Sequence, residues 1–311
     1  MNTLSPTDRP LRLGTRASPL AIAQVNLVAK ALCEAHGWSE DRIEIVPVTA
    51  SGDKVLDRPL ADIGGKALWT KELDQWLHEG SIDAAVHSMK DVETIRPEAF
   101  AIAAMLPRAD VRDTLVGAAT IDAIPRNGRL GTSSPRRSAQ IRRLRPDVEI
   151  VLFRGNVATR LSKLDAGEAD ATLLATAGLA RLGYDDIGTP VPIDQMLPAP
   201  AQGAVGIEVM RDNDPVHALI AAIDDTPTST CVLAERAVLL ALGGTCHSPI
   251  AALAVPQGNE IVLRAEILSP DGNEHVVEEE RLARGDIAGA QNLGRALLSR
   301  ASPALRALFA G

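Results

Sequence analysis

The string HSMKD, His87 to Asp91, directly follows the apolar run Ile82–Val86. Polar side chains at the carboxyl end of a strand in an open α/β sheet face the ligand crevice. Asp91 is therefore a candidate acid, base or cation stabiliser, with Ser88 and Lys90 beside it; capping of the next segment is the plain alternative. A second group, Ser133, Ser134, Arg136 and Arg137, joins hydroxyls to two guanidiniums at an expected helix start, which suits a carboxylate. Arg154 and Arg160 flank a glycine in FRGNVATR, and Arg16 occupies the matching turn of an earlier segment. Cys246 lies between Gly243-Gly244-Thr245 and His247-Ser248-Pro249, a loop composition in which a reactive thiol and an inert one are both open readings. Cys33 and Cys231 fall in apolar helical patterns and read as core.

Other chemistries find no support. Gly64-Gly65-Lys66 lacks the spacing and the following hydroxyl of a phosphate loop, and no dinucleotide fingerprint follows a strand. No histidine pair has ligand spacing, so no metal is expected.

The elements that position these residues are legible from an internal echo. RLGT at 12–15 leads through Ser18-Pro19 into a helical pattern, and RLGT at 129–132 leads through Ser134-Pro135 into another. EIV at 44–46 recurs at 149–151, and GSIDAAV at 80–86 is answered by GEADATL at 167–173. The common order predicts two related α/β units, each with a strand, a Ser N-cap and a Pro at the first helical position. Ile22, Val25, Val28 and Leu32 give the first helix an apolar face. Alternating strands and helices imply mainly parallel sheets covered on both faces. From Thr226 a helical segment precedes the β-type runs Ile250–Val255 and Glu260–Leu268, with turn signals at 256–259 and 269–273, and a helical pattern over 286–301 closes the chain. This reads as a small α+β domain with an antiparallel sheet.

Length and composition agree. The 311 residues suffice for two or three domains, and 46% apolar with 23% charged residues is ordinary for a globular chain. Forty acidic against 32 basic residues give a net charge of -8, which disfavours nucleic acid, and three cysteines without disulfide or zinc spacing fit a reducing compartment. No apolar stretch is long enough for a membrane span, and the N-terminal residues show no secretory pattern, so a cytoplasmic location is expected. Within this acidic chain eight arginines crowd into residues 129–160. Such a cluster predicts a bounded site for planar anions. Arg142, Arg143 and Arg145 sit farther along a helix and read as surface residues.

Taken together, the strings resemble the hydroxymethylbilane synthase family, also called porphobilinogen deaminase. The resemblance rests on RLGTRASPLA from Arg12, PLADIGGKALWTKELD from Pro59, VHSMKDV from Val86 and GTSSPRRSAQ from Gly131. It continues through FRGNVATRLSKL from Phe153, ATAGLARLG from Ala175, PAQGAVGIE from Pro200 and LGGTCHSPIA from Leu242. It implies an α/β fold of two doubly wound lobes resembling type II periplasmic binding proteins, 1–110 with a return at about 203–226 and 111–202. A C-terminal α+β domain over 227–311 would carry the cofactor cysteine. It further implies a monomeric transferase that joins four porphobilinogen molecules head to tail on a dipyrromethane primer, releasing four ammonia molecules and then, by hydrolysis, hydroxymethylbilane.

By the same resemblance one dipyrromethane is held per chain as a thioether on Cys246, and Asp91 is catalytic. Lys90, Ser88, Thr132, Ser133, Ser134, Arg136, Arg137, Arg154 and Gln202 would bind the cofactor. Arg16, Ser18, Arg160, Arg181 and Trp69 would bind substrate, whose acetate and propionate explain the arginines. Loss of ammonia leaves a cation that a fixed carboxylate stabilises. The chain departs from the family in three places: Glu93 follows HSMKDV where proline is common, Trp69 stands where Phe is frequent, and the cysteine loop reads GGTC for the commoner GGC. A bilobal solute receptor would explain the echo and the arginines but gives HSMKD and Cys246 no role. A cysteine hydrolase using Cys246 with His87 or His247 is the other competing reading.

Overall fold

A computed structural model describes residues 9–48, 70–244 and 248–309. In chain order the elements are β1 (Leu11–Arg16), α1 (Pro19–His36), β2 (Ile43–Val48), α2 (Lys71–His78), β3 (Ala84–Ser88) and β4 (Phe100–Met105). There follow β5 (Asp113–Val116), β6 (Arg129–Gly131), α3 (Pro135–Leu144), β7 (Glu149–Val151), α4 (Val157–Asp165), β8 (Ala171–Ala175), α5 (Thr176–Arg181) and β9 (Thr189–Pro190). The chain continues through β10 (Val205–Met210), α6 (Asp214–Ala221), α7 (Thr226–Ala241), β11 (Ile250–Gln257), β12 (Glu260–Leu268), β13 (His275–Ala283), α8 (Ile287–Arg300) and α9 (Pro303–Ala307). They form two compact units, one from the described residues up to 109 with 204–229, the other from 110–203 with the described residues from 230 onward.

The first unit holds a sheet of order β2-β1-β3-β10-β4. β1 pairs in parallel with β2 and β3, whereas β10 runs antiparallel to both β3 and β4, so one strand of the five opposes the rest. Helices cover both faces, because alternate residues of β3 diverge. Ala84 and Val86 meet the α1 side chains Val25, Val28 and Leu32 in one cluster, while Ala85 meets Leu73 and Leu77 of α2 in another. Burying such aliphatic chains is worth about 1.5–3 kcal/mol each.

The second unit contains a sheet of order β7-β6-β8-β5-β9 with the same directions, β5 being the opposed strand. The echo strings occupy equivalent places down to single bonds. Arg12 N–H donates to Asp83 at 2.8 Å and Arg129 N–H to Asp170 at 2.6 Å; each aspartate returns its own N–H to the arginine carbonyl, at 2.9 and 2.8 Å. Each arginine also donates a guanidinium N–H to a glycine carbonyl, Gly80 at 2.6 Å and Gly167 at 2.8 Å. Ser18 caps α1 by accepting from Ala21 N–H, and Ser134 caps α3 by accepting from Arg137 N–H, each with Pro in the first turn.

The same unit includes the antiparallel sheet β11-β12-β13. Ile261, Leu263, Ala265 and Ile267, alternate residues of β12, pack with α7 and α8. The buried Glu235 of α7 accepts from Ala254 N–H at 2.8 Å and from Ala201 N–H at 2.6 Å, holding Ala201 in a left-handed conformation at φ 63. No described helix is long and apolar enough to cross a membrane.

Candidate functional site

Sequence places the key turn of the first unit at the end of a strand that cannot continue. After Ser88 the chain tightens into a single 3-10 turn over Met89–Asp91, closed by Val92 N–H to Met89 O at 3.3 Å. Its upstream side is fixed by β10, since Met89 N–H donates to Ala204 O at 3.1 Å. Glycine at 206 of β10 leaves room for the Met89 side chain, which a Cβ there would force to move. The turn sets Asp91 at the rim of a recess shared with Arg16, Ser18, Gln24, Thr70, His87 and Ser88. Ser88 and Gln24 exchange hydrogen bonds of 2.8 and 3.0 Å across it. Arg16, Ser18, Ser88 and Asp91 are all partly exposed there, and Lys90, on the same turn but not among the residues lining the recess, is also partly exposed. The recess thus joins a carboxylate to a guanidinium and hydroxyls, groups able to hold an acidic substrate and to face a positive centre on it.

Behind this recess lies a charge cluster that sequence reading missed. Glu208 of β10, fully buried, accepts from His87 Nε2 at 3.1 Å and from Arg96 Nε and Nη2 at 2.8 and 2.9 Å. Burial would push the Glu208 carboxyl up, but the bonds from His87 and Arg96 outweigh it and hold it at about 2, below its ordinary 4.5. Burial instead raises Asp74, against the pull of Arg96. A depressed carboxyl contributes stability that is complete above its ordinary value and is lost as pH falls toward its folded one. Glu208 should therefore supply roughly 3 kcal/mol near neutrality. Denaturant unfolding of wild type and Glu208→Gln checks this: the gap between them should shrink between about pH 5 and about pH 2. A gap that stays constant over that range contradicts it.

In the second unit the N-terminal turn of α3 presents Thr132, Ser133 and Ser134, with Ser134 N–H donating to Thr132 Oγ1 at 3.2 Å. Arg136 and Arg137 are only 3% and 5% exposed, and they turn inward to a residue the sequence reading did not single out. Asp113, in β5, lies 2.8 Å from Arg136 Nη1 and 2.7 Å from Arg137 Nη2. Burial opposes its ionisation, yet the two guanidiniums hold its carboxyl well below the usual range; burial also lowers Arg136. Gln202 joins the group, donating to Asp113 Oδ1 at 2.9 Å and Val111 O at 2.8 Å. Gln140, which accepts from Arg136 Nη1 at 2.9 Å, donates to the buried Glu266 at 2.5 Å, and Glu266 also favours the charged form of Arg136, so two carboxylates balance the two guanidiniums.

Arg154 is buried, and Arg160 donates from Nε to Gly155 O at 3.0 Å, where Gly155 takes φ 107. Arg181 donates to Gly203 O at 2.7 Å, and burial lowers its guanidinium. Cys246 and Trp69 lie outside the described residues. Arg145, read from sequence as a surface helix residue, instead follows the end of α3, largely covered, pairing with Asp147 at 2.8 Å and donating to the carbonyls of Ile121 and Ile124 at 2.9 and 3.0 Å. Among the described residues no group of acids, histidines or cysteines has the arrangement to hold a metal ion.

A family described as porphobilinogen deaminase, dipyromethane cofactor binding domain, matches residues 11–218, and its C-terminal domain matches 229–301. The porphobilinogen deaminase of Sphingopyxis alaskensis is 55% identical over the full length of both chains, and that of Nitrobacter hamburgensis is 46% identical over the same span. The Paracoccus denitrificans protein of that name is 48% identical over 90% of each chain. Among solved structures, the VFT2 domain of Bordetella pertussis BvgS shares 15% identity over 69% of this chain and 85% of its own, with a TM-score of 0.41. With both of its domain signatures present and full-length relatives at such identity, the chain belongs to the porphobilinogen deaminase family.

Proposed function

We propose that this chain joins four porphobilinogen molecules head to tail on a dipyrromethane primer, with Asp91 at the reacting centre, Cys246 as the attachment point and the arginines as carboxylate holders. The reaction is a group transfer of tetrapyrrole biosynthesis, each joining step releasing one ammonia, and hydrolysis then frees hydroxymethylbilane. The observation that carries the reading is the recess in which Asp91 shares its walls with Arg16, Ser18 and Ser88. A pyrrole bearing acetate and propionate needs an anion holder, and departure of neutral ammonia from its protonated aminomethyl group leaves a positive centre that needs a carboxylate. Asp91 stabilises that charge and assists proton transfer at a pyrrole nitrogen. Arg16 and Ser18 hold the substrate carboxylates, with Arg160 and Arg181 completing the substrate contacts.

The second unit's donor set fits a polyacid. Arg136 and Arg137 bring two guanidiniums together, both shared with Asp113. With the α3 N-terminus and Thr132, Ser133 and Ser134, these groups would hold the dipyrromethane carboxylates, joined by Ser88, Lys90, Arg154 and Gln202. When bound, the dipyrromethane supplies the pyrrole carbon to which the first substrate unit is joined. The three sheets are taken as three domains, 1–110 with the return at about 203–226, 111–202 and 227–311, in a monomeric cytoplasmic enzyme.

Intact-mass measurement tests this. The purified protein should exceed its polypeptide mass by one dipyrromethane, peptide mapping should find that mass on Cys246, and porphobilinogen should add discrete pyrrole increments. A bare polypeptide that ignores porphobilinogen overturns the reading in favour of a simple binder. A free, alkylatable Cys246 acting on acyl substrates favours a hydrolase.

A further inference from the structure

Arg96 stands five residues beyond Asp91, and all five of its N–H donors have acceptors. Nε and one Nη2 hydrogen meet the two oxygens of Glu208, the other Nη2 hydrogen meets Asp74, and Nη1 donates to Glu93 at 2.7 Å and to Thr70 Oγ1 at 3.1 Å. Thr70 in turn donates to Glu93 at 3.0 Å. The guanidinium also lies 5.5 Å from the centre of the Phe100 ring. Two of these partners, or residues bonded to them, reappear in the recess: Thr70 lines it directly, and His87, bonded to Glu208, lines it beside Asp91. Residues four before, two after and five after Asp91 are therefore tied to one another through a single planar group. Glu93 thus takes part through bonds from both Arg96 and Thr70.

We infer that Arg96 is a positioning residue for Asp91: its fork, closed by Glu93 and Glu208, fixes the two ends of the turn that carries the carboxylate. The inference rests on the assignment of Asp91 as the reacting carboxylate. Lysine keeps the charge but has no fork, so it can satisfy only part of the acceptor set. A carboxylate displaced by a fraction of an ångström loses transition-state stabilisation while substrate holding by Arg16 and Ser18 persists.

The test uses the holoenzyme, with steady-state release of hydroxymethylbilane, intact mass and thermal unfolding followed in parallel. Arg96→Lys should lower kcat about tenfold with KM for porphobilinogen within about twofold and full dipyrromethane content. Glu93→Leu should do the same, whereas Glu93→Gln, which keeps an acceptor for both Arg96 and Thr70, should stay within about twofold of wild type. Wild-type kcat in Arg96→Lys overturns the inference, as does a loss wholly accounted for by missing cofactor or by the unfolded fraction. Equal losses in Glu93→Gln and Glu93→Leu overturn it too. Asp91→Ala run alongside separates the two failures. Full turnover there removes the assignment of Asp91 itself; an inactive Asp91→Ala beside a normal Arg96→Lys removes only the positioning role.

Discussion

Replacing Asp91 with alanine is expected to cut turnover about a hundred- to a thousandfold while leaving the protein folded and loaded with dipyrromethane. The asymmetry follows from where the side chain sits. Asp91 is partly exposed on a single turn whose backbone is held by Val92, Met89 and Ala204, so truncation removes a charge from the recess without opening the core. Arg16 and Ser18, the proposed anion holders that line the recess, are untouched, so substrate affinity should change far less than kcat. Asp91→Asn keeps the shape and loses the charge; it should resemble alanine if electrostatic stabilisation dominates. Ammonia release from porphobilinogen at the wild-type rate in either variant would reject the role of Asp91.

The second large effect concerns Asp113. Asp113→Asn leaves Arg136 and Arg137 side by side, buried, with no carboxylate between them, and breaking a buried ion pair from one side costs about 3–5 kcal/mol. Asparagine preserves an acceptor for Gln202 and the volume of the site, so the loss reports charge rather than packing. A bound polyacid would supply new partners to the same guanidiniums. The destabilisation should therefore be larger in the Cys246→Ser background, which on the proposed attachment lacks the dipyrromethane, than in the loaded protein. Urea unfolding of the four proteins measures both quantities. Losses below about 1 kcal/mol in both backgrounds would show the triad to be unimportant, and equal losses would separate the arginines from the cofactor.

The sequence made one half of this architecture readable and hid the other. Arg12 with Asp83 and Arg129 with Asp170 are near each other in pattern because both belong to strings repeated in order, and the Ser-Pro helix starts are local chemistry. The C-terminal hairpin was equally plain, since Ile261 to Ile267 alternates and Gly258 turns at φ 60; β13, rich in charge, was not. What escaped was the long-range pairing. Arg96 and Glu208 are 112 residues apart, and Arg137 and Asp113 are 24 apart on different elements. Neither hydropathy period nor capping carries that information. One signal was available for Asp113: a lone acid within the apolar strand Asp113–Val116 needs a cationic partner, and the arginine cluster offered several. Arg96 gave no such sign, standing alone before Pro97 in an irregular segment.

The opposed strand of each sheet has a consequence for biosynthesis. Among the described strands β4 pairs only with β10, which a ribosome delivers after the whole of β5 to β9. While the nascent chain lengthens, β4 is an open edge seeking a partner, and the second sheet, contained within residues 113–190, is the first that can close. The order of completion is thus not the order of synthesis: the sheet begun first closes only after the second one, and until Met210 emerges the turn bearing Asp91 lacks the strand beneath it.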